Sequence, residues 1–373
     1  MHYRTYGKSD VQVSEIGMGG HREGVDAGDG LNRAARFFRS VQERARVVGH
    51  AIDRGVTYFD TTYGCELISL GESLRLLQRR DGLFVSGMRV DFFANMLQDE
   101  AGPRAYARRE VEARVQEFGI DGLDQFMLGA LEFGDPLSHP RAMMDDALDE
   151  LLKIRDEGKF RFLGFSTHTP DYAARLLETF PVFDTVMTPY NFANRAAEGA
   201  LADALRKSGA AWVAMKTLVW HIYGVPVTVL RHLKPVPGRV NLDPTPIATL
   251  AHRFVLQNSL LTTCVPAMNT LTAVNENAAA SGAGPLDEAD QAQLQAYANA
   301  MLAEDLVPLA IGGLLEDNMR VQFYAINLLH DKLGLPANLG DLSDAGAEVR
   351  VKSTAATRLG ALRGMPKWSP YLA

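Results

Sequence analysis

Groups able to move protons or hold polar ligands fall in short clusters along this chain. They are His21, Arg22 and Glu23; Asp60, Tyr63 and Glu66; Arg89 and Asp91; Glu132; His168; and His221. Carboxylates, imidazoles and guanidinium groups in such a set can bracket the hydroxyls of a carbohydrate or another polyol. The same groups can also perform acid/base chemistry next to a carbonyl, such as dehydration or epimerisation. Taken singly, each reads at least as well as a satisfied surface group. A divalent metal on His21, Glu132 and His168 is geometrically allowed, but no ligand spacing demands it and no metal is assigned. The run Gly17-Met18-Gly19-Gly20 lacks the third glycine of a dinucleotide fingerprint, and Gly164-Phe165-Ser166-Thr167-His168 lacks the second glycine of a nucleophile elbow.

What must position these groups is a repeated alternation of short apolar runs with longer amphipathic segments. The apolar runs, at 14–19, 57–61, 83–87, 123–128, 160–166, 184–188, 212–218 and 261–265, number eight. Strands alternating with helical crossovers form a parallel sheet, and the absence of any sign of reversed strand order favours a closed (β/α)8 TIM barrel over an open sheet. The polar clusters then fall just after the strands, on the face where such barrels carry their sites. Residues 1–13, with Tyr3 and Tyr6 ahead of Val11 and Val13 across Gly7, predict an N-terminal hairpin that plugs the barrel's bottom. The segment 21–46 predicts a long first loop, either a lid facing the substrate or an irregular surface loop. Residues 145–157 predict a helix with Leu148, Leu151, Leu152 and Arg155 on one face, closed by Gly158. After residue 300 the pattern changes to a helical segment at 318–332 and a tail whose five charged residues beyond Val349 are all basic. The division is therefore a barrel over 1–300 and a C-terminal helical extension over 301–373, packed on the barrel or forming a homo-oligomer contact.

Composition narrows the partners. The chain has 373 residues, 38 Lys+Arg against 45 Asp+Glu, a net charge of -7 and 47% hydrophobic residues. Mild acidity argues for a small-molecule substrate or a protein partner and against nucleic acid or a membrane surface. Two cysteines, Cys65 and Cys264, cannot build a disulfide framework or hold an iron–sulfur cluster. With no apolar stretch long enough for a span and a polar start to the chain, the expected location is cytoplasmic.

The block Gly55-Val56-Thr57-Tyr58-Phe59-Asp60-Thr61-Thr62-Tyr63-Gly64-Cys65-Glu66, followed by Leu70-Gly71-Glu72-Ser73-Leu74, closely resembles the second strand of the aldo-keto reductases. Supporting blocks run in family order: Met1-His2-Tyr3-Arg4, the stretch from Gly158 to Ser166, Pro189-Tyr190-Asn191, Ala214-Met215-Lys216, Val265-Pro266-Ala267-Met268, and Glu276-Asn277. The resemblance covers about residues 1–300. It implies a barrel that holds NADP or NAD across its C-terminal face and passes a hydride to a carbonyl while a tyrosine hydroxyl gives a proton. A phenol with a pKa near 10 is a poor acid at neutral pH, so the family surrounds its tyrosine with lysine, histidine and aspartate.

By the same resemblance Asp60 matches the family aspartate. Tyr63 follows it by three residues where the family spacing is five, Met88 stands at the lysine and Gly129 at the histidine. The implied cofactor contacts are Gly19, Gly20, Ser166, Thr167, Met187, Lys216, Thr217, Ala267, Met268, Asn269, Glu276 and Asn277. Ser166 matches the residue that holds the nicotinamide carboxamide. Thr167 and Met187 stand where asparagine and glutamine are common, and Asn269 replaces the arginine often set against the 2′-phosphate of NADP. Candidate catalytic groups are Asp60, Tyr63, His21, Glu66, Arg89, Glu132 and His168. The leading reading is an NAD(P)-dependent oxidoreductase acting on a polar carbonyl or hydroxyl compound, a sugar among the options. A non-redox lyase or isomerase on the same barrel, or a catalytically silent nucleotide-binding scaffold, are the alternatives.

Overall fold

The computed structural model describes residues 1–19, 24–25, 36–38, 40–120, 122–218, 244–302, 307–315, 322, 325–326, 329–330, 333–336 and 347–372. The chain opens with β1 (Tyr3–Thr5) and β2 (Gln12–Ser14), an antiparallel pair turning at Gly7, whose φ is 57°. Two short strands, β3 (Gly24–Val25) and β4 (Arg36–Phe38), pair with each other before α1 (Val41–Asp53). A parallel sheet follows in the order β5 (Tyr58–Thr61), β6 (Phe84–Arg89), β7 (Leu123–Leu128), β8 (Phe160–Ser166), β9 (Thr185–Pro189), β10 (Ala211–Met215) and β11 (Thr263–Cys264).

Residues 15–19 close this sheet into a barrel. On one side the Gly17 amide donates to Cys264 O (2.7 Å) and the Gly19 amide to Pro266 O (2.8 Å); on the other the Met18 amide donates to Tyr58 O (2.8 Å) and Asp60 N donates to Met18 O (2.9 Å). The eighth stave is thus an irregular one, with single bridges replacing the regular strand expected at 14–19. Glycine permits this: a side chain at Gly19 would collide with Val265 O, and one at Gly17 with Tyr58. The run expected at 212–218 ends as a strand at Met215, because Lys216 turns into the left-handed region (φ 56°).

Helices α2 (Gly64–Leu77), α3 (Phe92–Met96), α4 (Gly102–Phe118), α5 (Arg141–Asp156), α6 (Pro170–Thr179), α7 (Ala200–Ser208), α8 (Pro244–Leu256) and α9 (Leu271–Ala278) follow the strands. The helix expected at 145–157 begins a turn earlier, and Ile154, not Arg155, joins Leu148 and Leu151 on its buried face. Gly158 (φ 81°) returns the chain to β8 as expected. The long loop expected to reach Arg46 gives way to α1 at Val41, where Ser40 Oγ accepts from the Glu43 amide at 3.1 Å. That S-x-x-E spacing is a capping signal that outweighs the glycines before it.

Inside the barrel the bottom is filled by aromatics. Tyr6 from the hairpin lies 4.5 Å from the Phe84 ring and 5.0 Å from the Phe162 ring, and its hydroxyl meets Thr185 Oγ1 at 2.5 Å. Burial raises the Tyr6 pKa, so the phenol stays neutral in the plug. Arg4 locks the hairpin in place: its guanidinium reaches Glu15 Oε2 (2.8 Å) and the carbonyls of Leu256 (2.5 Å), Asn258 (3.0 Å) and Leu261 (2.9 Å).

Beyond the barrel, α10 (Glu288–Leu302), α11 (Val307–Leu315) and α12 (Ala347–Arg363) extend the chain. Val307, Ile311, Val351, Leu362 and Trp368 pack with Ile247 and Leu250 of α8 and with Leu286 and Leu294 in one apolar cluster. Of the helix expected at 318–332, Gln322, Ala325, Ile326, Leu329 and His330 are described, and all five are helical. Among the described residues no helix is long and apolar enough to cross a membrane. Replacing Tyr6 by alanine should lower the unfolding free energy in urea by about 3–5 kcal/mol, and by phenylalanine by about 1–2 kcal/mol, since only the Thr185 contact is then lost.

Candidate active site

Strand alternation fixes which side chains enter the barrel. Above the aromatic plug, Asp60, Ser86 and Gln125 sit opposite one another on β5, β6 and β7. All three are buried, and Asp60 Oδ1, Ser86 Oγ and Gln125 Nε2 lack a protein hydrogen bond. Tyr58 Oη donates to Gln125 Oε1 at 2.9 Å, so this polar layer rests directly on the plug. Burial drives the Asp60 pKa up, the Glu66 charge adds to it, Ser86 opposes, and the carboxyl ends at about 7.

The next layer is apolar. Met88, Met127 and Met187 line it together with Val213 and Val265. Met88 lies over Gly129 so closely that a Cβ there would stand 2.8 Å from its Sδ and 2.9 Å from its Cγ. The absence of a side chain at 129 and the methionine at 88 are therefore one packing solution. Ser166, at the end of β8, is buried; its Oγ accepts from the Ala130 amide at 3.0 Å and donates toward Met88 Sδ at 3.8 Å.

The mouth is built from the loops after the strands, and its backbone is under strain. Asp91 (φ 51°), Ala130 (φ 53°), Asp135 (φ 40°) and Lys216 (φ 56°) are non-glycine residues in the left-handed region, all in loops after β6, β7 or β10. Ser166 pins the turn after β7 through Ala130 and through its carbonyl, which accepts from the Leu131 amide at 3.0 Å. That turn delivers Glu132 to His168: Glu132 Oε1 meets His168 Nδ1 at 2.5 Å and accepts from the His168 amide at 3.2 Å. Burial pulls the Glu132 pKa up, but the His168 hydrogen bond and backbone amides overcome it, and the carboxylate ends below its usual range. Asp91 goes the other way, raised by burial and by Glu132 while Arg89 and His168 oppose. Arg89 itself is paired with Glu110 at 2.6 Å, so it turns toward α4.

Of the other sequence candidates, Tyr63 is half-buried as the N-cap of α2. Glu66 is fully buried and its Oε2 accepts from the Thr62 (2.7 Å) and Tyr63 (3.0 Å) amides, which gives that carboxylate a capping task. Gly19, Ser166, Thr167, Met187, Lys216, Thr217, Ala267, Met268, Asn269, Glu276 and Asn277 follow the rim from the eighth stave round β8, β9, β10 and β11 to α9. Thr167 is buried, and its amide donates to Met187 O at 3.1 Å. Lys216 O accepts from Asn191 Nδ2 at 3.0 Å. Asn277 Nδ2 donates to Ala267 O at 3.1 Å, tying the loop before α9 to that helix, while Thr270 Oγ1 caps α9 by accepting from the Ala273 amide at 3.0 Å. Gly20, His21 and His221 lie outside the described residues.

Sequence reading gave no hint of His252, fully buried on α8, whose Nε2 meets Thr217 Oγ1 at 3.1 Å and whose pKa burial lowers to about 4. Nor could it find the left-handed residues, since none of them is glycine or asparagine. Among the described residues no cluster of three or more His, Cys, Asp or Glu side chains could hold a metal.

Comparison with known proteins gives a consistent result. The family model described as Aldo/keto reductase family matches residues 30–219. The Glycine max protein named probable aldo-keto reductase 1 is 25% identical over 182 residues, spanning 47% of this chain and 48% of that protein. An aldo-keto reductase from Bacillus halodurans superposes in its apo form with a TM-score of 0.57 at 18% identity, covering 79% of this chain and 95% of that one. Its holo form gives 0.58 at 19% identity, covering 79% and 96%.

The raised Asp60 pKa has a measurable sign. A carboxyl whose folded pKa lies above its unfolded value of 3.8 contributes stability that is full below that value and is lost as pH rises through about 7. Unfolding free energy should therefore fall from pH 5 to pH 8, and Asp60→Asn should flatten that fall, as urea titrations at the two pH values would show.

Proposed function

The chain belongs to the aldo/keto reductase family, and on that premise we propose that it is an NAD(P)-dependent oxidoreductase acting on a polar carbonyl or hydroxyl compound, such as a sugar. The observation that carries this reading is the continuous arc of strand ends from β8 to α9, which presents a hydroxyl, a cation and a tied loop in the order an extended dinucleotide requires.

Residues along that arc suit such a group chemically. Ser166 supplies a buried hydroxyl for the carboxamide. Lys216 would turn a cation to a phosphate, and the Ala267–Asn277 stretch, braced by the Asn277 amide, would meet the adenosine end. The nicotinamide, when bound, supplies or accepts the hydride. The protein's own part is to hold the substrate oxygen at the mouth, exclude water with the apolar methionine layer and exchange one proton with that oxygen. The rim acids and imidazole, Asp91, Glu132 and His168, favour a substrate with several hydroxyls.

The proton chemistry departs from the family pattern. Met88 cannot offer the ammonium that would acidify Tyr63, and Gly129 offers no imidazole. Asp60 is left with no cation at either position, which agrees with its raised pKa. We assign residues 1–300 to the barrel unit that carries the reaction and 301–373 to an extension that braces α8.

Titration of the cofactor-free protein with NADH and NADPH, followed by nucleotide fluorescence, tests the reading. Micromolar binding is expected, with NADH bound at least as tightly as NADPH, because no Lys or Arg occurs between Ala267 and Asn277 to pair with a 2′-phosphate. Asn269→Arg should tighten NADPH about tenfold, roughly 1.4 kcal/mol, and leave NADH nearly unchanged. Absence of binding up to millimolar nucleotide would overturn the reading.

A further inference from the structure

We propose that His168, oriented by Glu132, is the group that exchanges the proton with the substrate oxygen, in place of a lysine-activated tyrosine. The proposal rests on the oxidoreductase reading and adds to it a proton path that the family pattern does not contain.

The geometry is that of an oriented acid/base. Glu132 Oε1 lies 2.5 Å from His168 Nδ1 and also accepts the His168 backbone amide, so ring and backbone are held by one oxygen. A carboxylate at Nδ1 fixes the proton there and makes Nε2 the atom that takes or gives the second one. The carboxylate is itself held through its loop, which is pinned to Ser166 through Ala130 and Leu131. Both side chains retain 18% exposure, enough to meet a substrate and too little to be ordinary surface groups.

His168 also stands in the right place. It follows by two residues the Ser166 expected to hold the carboxamide, in the same turn at the end of β8. The charged groups around it come from three directions. Asp91 and the Glu110-paired Arg89 lie on the loop after β6 and the end of β6, Glu132 lies after β7, and Tyr172 of α6 donates to Asp135 at 2.6 Å. Glu132 and Asp91 thus bring two carboxyl groups to the imidazole.

The proton step balances simply. As the carbonyl carbon gains a hydride, its oxygen takes the C=O π pair and then the Nε2 proton of the imidazolium. His168 is left neutral, Glu132 remains a carboxylate, and solvent at the mouth restores the proton. In oxidation the same steps run backward, with Nε2 accepting the hydroxyl proton.

Imidazole ¹⁵N spectra of the full chain, assigned with His168→Gln, test this alongside kinetics with NADH and 4-nitrobenzaldehyde. We expect His168 as the Nδ1–H tautomer when neutral, loss of that tautomer preference in Glu132→Gln, and a shift of the His168 signals when NADH is added. His168→Gln should lower kcat by about 100-fold or more and remove one limb of the pH profile, with the NADH Kd unchanged. Nucleotide binding that leaves the His168 signals unmoved, or a His168→Gln variant retaining kcat and its pH profile, would overturn the histidine's role alone. Failure to bind either nucleotide would overturn the oxidoreductase reading and this one with it.

Discussion

Closure of the barrel by residues 15–19 is the constraint on which the rest of the molecule depends. A seven-stranded parallel sheet has two edges, each a row of unpaired amides and carbonyls. The irregular stave satisfies both at once, donating to Cys264 and Pro266 on one side and exchanging bonds with Tyr58 and Asp60 on the other. Once closed, the cylinder fixes which side chains face inward, so Tyr58, Asp60 and their neighbours stack as plug, polar layer and methionine layer in that order. The mouth inherits its geometry from this stack, since Ser166 stands on Met88 and in turn pins the loop that carries Glu132.

Most of the architecture was legible because its signals are local and repeated. Apolar runs marked β5 to β9 to within two residues, and Tyr6 could be read as a plug because an aromatic pair ahead of alternating valines has little else to do. The first stave and the end of β10 were misread where backbone pairing, not side-chain type, decides the element. The start of α1 was visible in Ser40 and Glu43, yet the glycines before it drew attention to a loop. At the candidate site, the polar residue types after the strands stand in the sequence, but their pairing does not. Nothing local says that Glu132 and His168, thirty-six residues apart, share a hydrogen bond, or that Arg89 turns away to Glu110.

The Met88–Gly129 contact bears on how such a site can change over generations. A side chain at 129 meets the methionine thioether before anything else, so substitution there requires the Met88 side chain to move or become smaller. The methionine at 88 is therefore what keeps position 129 a glycine.

Arg4 has a consequence for the moment at which the molecule can become whole. Its guanidinium bonds to carbonyls of residues 252 to 257 positions farther along the chain. At a synthesis rate of about 5–20 residues per second, the first hairpin waits roughly 12–50 s on the ribosome before those partners exist. Through that interval the side of residues 15–19 that will meet Cys264 and Pro266 has no lasting cover. The N-terminal segment is thus made first and finished last, and the growing chain spends most of its synthesis as an open sheet in need of shelter.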